Sequence, residues 1–84
     1  MGEGTVEVRL FAAARAAVGC DVVHAEPGTL ASVAAQLVGD HPALAEVLPR
    51  CSYLLDEVAV HGEPAGVPIP PGSQLDVLPP FAGG

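Results

Sequence analysis

Residues 5–11 read TVEVRLF, and this alternating stretch decides the fold around which the rest of the chain must be arranged. Successive side chains of an extended strand point to opposite sides, so Val6, Val8 and Leu10 share one face. The opposite face carries the polar side chains together with Phe11. The stretch therefore predicts a β-strand with one apolar face, which needs a second layer of structure to cover it.

Two helices are predicted to follow, and the second has the pattern needed to cover that face. Ala12–Val18 is rich in alanine, and Gly19 is placed to end a short helix there. Thr29 is suited to cap the second helix, which Gly39 is expected to end. Apolar side chains recur at helical spacing between these two positions: Leu30, Val33, Ala34 and Leu37.

A further short helix and an interrupted strand are expected next. His41-Pro42 can open the helix, with proline in its first turn, and Pro49 is expected to close it. Its predicted buried side consists of three apolar residues, Leu44, Val47 and Leu48. Residues 52–60 predict either one bent strand or two short ones, because Asp56-Glu57 interrupts the apolar pattern.

The end of the chain adds a turn and a last strand. Residues 70–73, PPGS, suit a type II turn, which needs glycine at its third position. Residues 74–78 form the last predicted strand, with Leu75 and Val77 on one face, and residues 21–25 form an earlier short one. Strand, helix, strand, helix and then strands is the order of a small α+β domain, with one sheet covered by one main helix.

The chain is strongly acidic, since ten Asp and Glu residues against three basic ones give a formal net charge of −7. The bases are Arg9, Arg15 and Arg50, and the sequence contains no lysine. Because Lys and Arg are the residues that grip a phosphate backbone, nucleic-acid binding is not expected. The acidity is explained either by solubility alone or by a partner with a basic docking surface.

The sequence also predicts a cytoplasmic protein without membrane attachment. No apolar run approaches the length of a membrane span, and the first residues lack the pattern of a signal peptide. The two cysteines, Cys20 and Cys51, do not make a disulfide framework. We expect both thiols to stay reduced in the cytosol.

No pattern typical of an enzyme active site is present in the sequence. His24, His41 and His61 lie far apart and lack the spacing of metal ligands. Asp56-Glu57 is interpreted as a solvated edge rather than an acid–base pair, because neighbours on a strand point to opposite faces. We therefore expect no bound metal or cofactor, and a protein that takes part in catalysis as a component rather than as the enzyme.

The unusual chemistry lies in the last residues, which read LPPFAGG from Leu78 to Gly84. Pro79 and Pro80 hold the chain extended, and Gly83-Gly84 can enter a channel too narrow for any side chain. Residues 79–84 can reach roughly 20 Å at ~3.3–3.6 Å per extended residue. A terminal carboxylate on such an arm becomes reactive once adenylation turns one oxygen into a leaving group. The alternative is an ordinary frayed terminus, but stiff prolines directly after a strand favour the functional interpretation.

Two stretches resemble the MoaD/ThiS family of ubiquitin-like sulfur carrier proteins, most closely the small subunit of molybdopterin synthase. Residues 8–15, VRLFAAAR, followed by Gly19, are similar to that subunit's opening strand and helix, and LPPFAGG is similar to its terminal motif. The resemblance implies a ubiquitin-like β-grasp fold over residues 1–78, with one mixed sheet covered by one main helix and short extra helices. Residues 79–84 would then form a flexible C-terminal Gly-Gly tail.

The resemblance also implies a cycle of sulfur transfer in molybdenum cofactor biosynthesis. An ATP-dependent adenylating enzyme would activate Gly84, and sulfur would displace AMP to leave a C-terminal thiocarboxylate. The tail would then enter the large subunit of molybdopterin synthase and donate its sulfur to the pterin precursor. ATP is used by the activating enzyme, so the chain itself would be a protein co-substrate and the small, non-catalytic subunit of a two-subunit synthase.

Residue roles follow from the same resemblance. Gly84 would carry the adenylate and then the thiocarboxylate. The rest of the tail would set clearance and reach: Gly83, Ala82, Phe81, Pro80 and Pro79. Phe11, Arg15 and Leu78 would contribute to a partner-binding surface, although Arg15 fits an ordinary solvated helix position equally well. Phe11 and Leu78 fall opposite the apolar alternation of their strands, which fits either an exposed apolar patch or a second buried layer.

Departures from the family pattern leave other functions open. Phe81 stands where a smaller valine is common, and His61 stands where the family often has asparagine. A sulfur carrier for thiamine or cysteine biosynthesis is the alternative within the same class. From other classes, the chain could be a ubiquitin-like modifier joined to target amines, or a plain interaction module whose Gly-Gly has no function.

Overall fold

The computed structural model describes residues 4–79 and shows a mixed sheet with a helix packed on one face. Within those residues the strands are β1 (Val6–Leu10), β2 (Val22–Ala25), β3 (Gly28–Thr29), β4 (Ser52–Leu55), β5 (Val58–Ala59), β6 (Pro68–Ile69) and β7 (Gln74–Leu78). The helices are α1 (Ala12–Val18) and α2 (Leu30–Asp40), with 3-10 helices at Pro42–Ala45, Leu48–Arg50 and Pro64–Gly66. No helix within residues 4–79 combines the length and the apolar composition that a bilayer-spanning segment needs.

The main sheet has five strands in the order β2-β1-β7-β4-β5. The first strand β1 runs parallel to the last strand β7, whereas the other neighbours are antiparallel. β3 and β6 form a separate pair of two residues each, so the proline-rich segment before β7 contributes only a peripheral strand. The predicted α+β fold, with one mixed sheet and one main helix, is confirmed.

The apolar face of β1 is buried as its alternation predicts. Val8 lies beside Leu75 and Leu10 beside Val77 in the parallel register, and all four side chains are almost inaccessible to solvent. The helix α2 supplies the covering layer through three buried residues at helical spacing, Leu30, Val33 and Leu37. This two-layer core holds the domain together.

Thr29 caps α2 through a reciprocal pair of hydrogen bonds with Ser32. The Thr29 hydroxyl oxygen accepts from the Ser32 amide at 3.1 Å, and the Thr29 amide donates to the Ser32 hydroxyl at 3.0 Å. The predicted end of this helix is wrong by one residue, because Gly39 remains helical and Asp40 is the last helical residue. Gly39 does not adopt a left-handed conformation, so it does not act as a stop signal here.

The segment after α2 differs from the single short helix predicted from the sequence. It forms two 3-10 helices, Pro42–Ala45 and Leu48–Arg50, and Pro49 lies inside the second instead of closing the first. Proline is accepted there because the first turn of a helix does not need its missing amide hydrogen. Leu44 and Leu48 are buried as predicted, whereas Val47 is half-buried.

Residues 52–60 form two short strands joined by a tight turn, one of the two predicted alternatives. Asp56 and Glu57 both have positive φ angles, 48° and 73°, as a type I′ hairpin turn requires. Both residues are exposed, as predicted for a solvated pair, but they lie in the turn and not along a strand, so the strand geometry assumed for them is wrong. The Asp56 carboxylate accepts a hydrogen bond from the Gln74 amide at 2.9 Å, which attaches the hairpin turn to the start of β7.

The turn at residues 70–73 has the predicted type II character. Gly72 has a φ of +81°, and the Ser73 amide donates to the Pro70 carbonyl at 3.2 Å. The Gly72 amide also donates to the Thr5 carbonyl at 2.9 Å. The turn therefore sets the start of β7 directly beside the start of β1.

Replacing Leu37 by alanine should lower the free energy of unfolding by ~2–5 kcal/mol, because its side chain is only 2% exposed beneath the sheet. Urea denaturation monitored by circular dichroism measures the change. The matched control is Val58→Ala on the exposed strand β5, where the side chain is 66% exposed and the expected change is within ~0.5 kcal/mol. Equal costs for the two variants would contradict the assignment of Leu37 to the core.

Tyr53 should titrate far above the ordinary range of tyrosine. Burial raises its pKa to about 12, and its hydroxyl donates to the Leu48 carbonyl at 3.1 Å. The neutral phenol therefore contributes stability that is complete below about pH 10 and is lost as the pH rises toward 12. Phenolate absorbance measures this titration cleanly, since Tyr53 is the only tyrosine and tryptophan is absent. Tyr53→Phe is the control, and a midpoint near 10 in the folded protein would contradict the burial.

Candidate functional site

The tail leaves the domain from a central strand of the sheet. β7 is hydrogen-bonded to β1 on one side and to β4 on the other, and it ends at Leu78. Pro79 follows as an exposed residue and is the last one that the structure describes. Five predicted tail residues lie outside the described residues: Pro80, Phe81, Ala82, Gly83 and Gly84. The structure therefore defines the base from which the tail departs.

Phe11 lies at the same end of the sheet as Leu78. Its amide donates to the Val77 carbonyl at 3.1 Å, which extends the parallel ladder by one bond beyond β1. Its extended backbone, with φ −129° and ψ 153°, forms the N-cap of α1. Phe11 and Leu78 are both half-buried, so each keeps part of its apolar surface in contact with solvent beside the base of the tail.

Arg15 lies one helical turn after Phe11 and is exposed. The two residues help line a shallow cleft of about 290 Å³, together with Arg9 and the neighbouring strand residue Val22. Within residues 4–79 the Arg15 guanidinium has no hydrogen-bond or ion-pair partner. The structure thus brings Phe11 and Arg15 together and places Leu78 on the adjacent strand, while their role in binding a partner stays a prediction.

An ion pair between Arg9 and Asp76 holds the polar face of the sheet together. Arg9 Nε donates to Asp76 Oδ1 at 2.9 Å, and its Nη2 donates to Oδ2 at 3.3 Å. This hydrogen-bonded carboxylate also raises the pKa of Arg9. The Arg9 guanidinium carbon lies 5.8 Å from the centre of the Phe11 ring, within the range of a cation–π contact. The pair therefore supports Phe11 from the side of the sheet opposite α2.

Asp76 is a structural residue that the sequence analysis did not identify. It is only 4% exposed and is paired with Arg9, so it does not belong to an acidic surface. The alternation of the two strands contained the signal, since Arg9 and Asp76 each point away from the apolar face. The pairing becomes readable only when β1 and β7 are known to be neighbours in register.

The cysteines and histidines do not form a reactive cluster in the described part of the chain. No group of three or more His, Cys, Asp or Glu residues within residues 4–79 could hold a metal ion. The Cys51 thiol is half-buried and donates to the Val47 carbonyl at 3.3 Å, and burial raises its pKa. A thiol with a raised pKa is a poor nucleophile at neutral pH.

The sheet order, the parallel pairing of the first and last strands and the helix across one face define a ubiquitin-like β-grasp protein. The chain belongs to the ThiS family, whose model matches residues 8–84. It is thus one of the small ThiS/MoaD-like, ubiquitin-like sulfur carriers, and the resemblance inferred from its two ends is confirmed. The match extends through Gly83-Gly84.

Solved structures with the same fold include small archaeal modifier proteins and a chain of a molybdopterin-converting factor. The small archaeal modifier protein 1 of Methanosarcina acetivorans superposes with a TM-score of 0.82 at 23% identity, over 96% of this chain and 97% of that one. The small archaeal modifier protein 1 of Haloferax volcanii superposes with a TM-score of 0.79 at 26% identity, over 96% of this chain and 100% of that one. A third structure is the complex of subunits 1 and 2 of the molybdopterin-converting factor of Helicobacter pylori. One of its chains superposes with a TM-score of 0.66 at 22% identity, over 95% of this chain and 99% of that one. No curated protein sequence matches at a significant level.

Asp76→Asn should lower the thermal midpoint, because the buried position loses its charge-assisted hydrogen bonds to Arg9. Asp21→Asn is the matched control, since Asp21 is exposed in the turn before β2 and should change the midpoint little. Both are measured by thermal melting at neutral pH. Equal melting points for the two variants would show that the ion pair does not support the sheet.

Proposed function

We propose that the chain is a sulfur carrier whose C-terminal Gly84 is adenylated, converted to a thiocarboxylate and used as a sulfur donor in molybdopterin biosynthesis. The observation that carries this proposal is the match of the ThiS family model through the last two glycines. The fold supports it, because the central strand β7 delivers the tail at one end of the sheet, beside the half-buried Phe11 and Leu78.

The proposed chemistry is redox-neutral and uses the tail as its reacting group. A carboxylate oxygen of Gly84 attacks the α-phosphorus of ATP, and pyrophosphate leaves with the electrons of the broken P–O bond. Hydrosulfide then attacks the acyl carbon, and AMP leaves as the C–S bond forms. The hydrosulfide proton passes to solvent, which leaves a thiocarboxylate. A partner enzyme supplies the nucleotide site for these steps.

Molybdopterin synthesis is the proposed pathway because one structural neighbour is a subunit of a molybdopterin-converting factor, solved in complex with the other subunit. In that arrangement the chain would act as the small subunit, and a large subunit would receive its tail. Phe11, Arg15 and Leu78 would form the surrounding contact, since they lie around the base from which the tail departs. Carriers for thiamine or cysteine biosynthesis are the alternatives within this class.

Protein modification is the second candidate function, and a specific observation favours it. The neighbours named as small archaeal modifier proteins superpose with TM-scores of 0.82 and 0.79, against 0.66 for the molybdopterin-converting factor chain. In this function the activated Gly84 would form an amide with a target amine. Because the sequence contains no lysine, the chain could not form lysine-linked polymers on itself.

Intact-protein mass spectrometry distinguishes the candidates after incubation with an activating enzyme, ATP and sulfide. A sulfur carrier gains the mass difference of one oxygen exchanged for sulfur at Gly84. A modifier instead forms amide bonds with lysines of other proteins. Because no Lys or Arg follows Arg50, chymotrypsin is used in place of trypsin, and cleavage after Phe81 leaves an Ala-Gly-Gly remnant on those lysines. Sulfur transfer to the pterin precursor in the presence of a molybdopterin synthase large subunit then tests the pathway. An unchanged intact mass, together with the absence of any remnant on other proteins, would contradict both candidates.

Deletion of Gly83 and Gly84 should abolish thiocarboxylate formation while leaving the domain folded. The core lies within residues 6–77, so the free energy of unfolding should change by less than ~0.5 kcal/mol. Mass spectrometry and thermal melting of the same preparation measure the two effects. A large loss of stability would show that the tail is part of the fold rather than a free arm.

Leu78→Asp should weaken binding to a synthase large subunit about tenfold or more, mainly through faster dissociation, because it puts a charge at the base of the tail. Surface plasmon resonance measures the rates, and thermal melting checks folding. Leu78→Ala is a milder variant expected to act in the same direction. Ala65→Asp, at an exposed position in the 3-10 helix Pro64–Gly66, is the control. Unchanged dissociation in both Leu78 variants would exclude this residue from the interface.

A further inference from the structure

An apolar groove of about 310 Å³ lies at the base of the tail, apart from the cleft around Arg15. One wall is the start of α1, from Phe11 to Ala14, and the other includes Val47 and Cys51 from the 3-10 segment. Pro79 is itself part of the lining. Two charged residues, Glu46 and Arg50, complete it. The last described residue therefore lies against a groove that is mostly apolar.

The size of the groove suits one side chain better than a separate small molecule. Ligand pockets usually measure ~300–1,000 Å³, so this groove lies at the lower limit for a drug-sized ligand. The alanines of α1 leave space beside the helix, and the half-buried Phe11 offers a ring for an offset or edge-to-face aromatic contact. A single aromatic side chain would fit within such a site with room to spare.

The nearest candidate for that side chain is in the sequence that follows Pro79. Residues 80–84 read PFAGG, so Phe81 is the one large apolar residue among them. At ~3.3–3.6 Å per extended residue, the Cα atom of Phe81 can lie at most roughly 7 Å from that of Pro79. Passage through a narrow channel does not call for an aromatic ring, and burial of this ring against an apolar surface would be favourable.

We propose that the groove is the resting site of the chain's own tail, with the Phe81 ring held between α1 and Val47. Phe11 lines both this groove and the cleft that contains Arg15. A partner that covers Phe11 therefore competes with Phe81 for the same ring, and its docking releases the tail. The resting site does not depend on any chemistry at Gly84, so this inference can be tested independently of the proposed function.

Nuclear magnetic resonance of the full chain alone tests this inference. We expect nuclear Overhauser contacts between the Phe81 ring and the methyl groups of Ala13 and Val47. The Ala82 amide should also have an order parameter above ~0.6, the limit below which backbone is flexible. Mixing isotope-labelled with unlabelled protein shows whether the contacts arise within one chain or between two.

Matched variants separate the groove from a general effect of charge on α1. Ala13→Glu places a charged side chain in the groove, whereas Ala16→Glu places the same group at another exposed position of the same helix. Ala13→Glu and Phe81→Ala should remove the contacts to Val47 and lower the Ala82 order parameter below ~0.6. Ala16→Glu should leave both unchanged.

Three results would overturn the inference. The first is an Ala82 order parameter that is low in the wild type and equal in all variants. The second is a set of Phe81 contacts to another part of the domain, such as the polar face of the sheet. The third is contacts found only between labelled and unlabelled molecules, which would assign the groove to the tail of a second copy.

Discussion

The parallel pairing of β1 with β7 is the constraint on which the rest of the structure depends. It joins the beginning of the domain to its end, with Glu7 opposite Gln74 and Leu10 opposite Val77. Closing a loop over most of the chain costs conformational entropy, which the burial of apolar surface must offset. The apolar faces of both strands provide this burial by packing against α2. The other strands add to the two edges of this central pair. The tail leaves beside Phe11 because β7 is held in this register.

The parts of the fold set by local pattern were predictable from the sequence. The alternation in TVEVRLF placed Val6, Val8 and Leu10 in the core, and Thr29 was identified as the cap of α2. Segments with weaker local signals were less predictable. Residues 41–51 contain two prolines and too few apolar repeats to distinguish one helix from two 3-10 turns, and Gly39 is a stop signal only when it is left-handed.

The candidate site also contains some features that local sequence predicts and others that depend on tertiary structure. The proposed reactive end could be identified from the sequence because the chemistry suggested by Gly-Gly after Pro-Pro does not depend on tertiary structure. Phe11 and Leu78 were predicted from the family resemblance, which their positions opposite the apolar alternation of their strands support. The ion pair of Arg9 with Asp76 could not be predicted, since its members are 67 residues apart and meet only through the parallel register. A contact that depends on topology carries little signal in one sequence.

The central position of β7 also gives the domain a mechanical property. A partner that draws the tail into a channel pulls along the strand axis, and the hydrogen bonds to β1 and β4 lie across that direction. Such a load is shared by both ladders in shear, so bonds cannot open one at a time as they would if an edge strand were peeled away. Under such a load the domain would have to break both ladders at once before it unfolded.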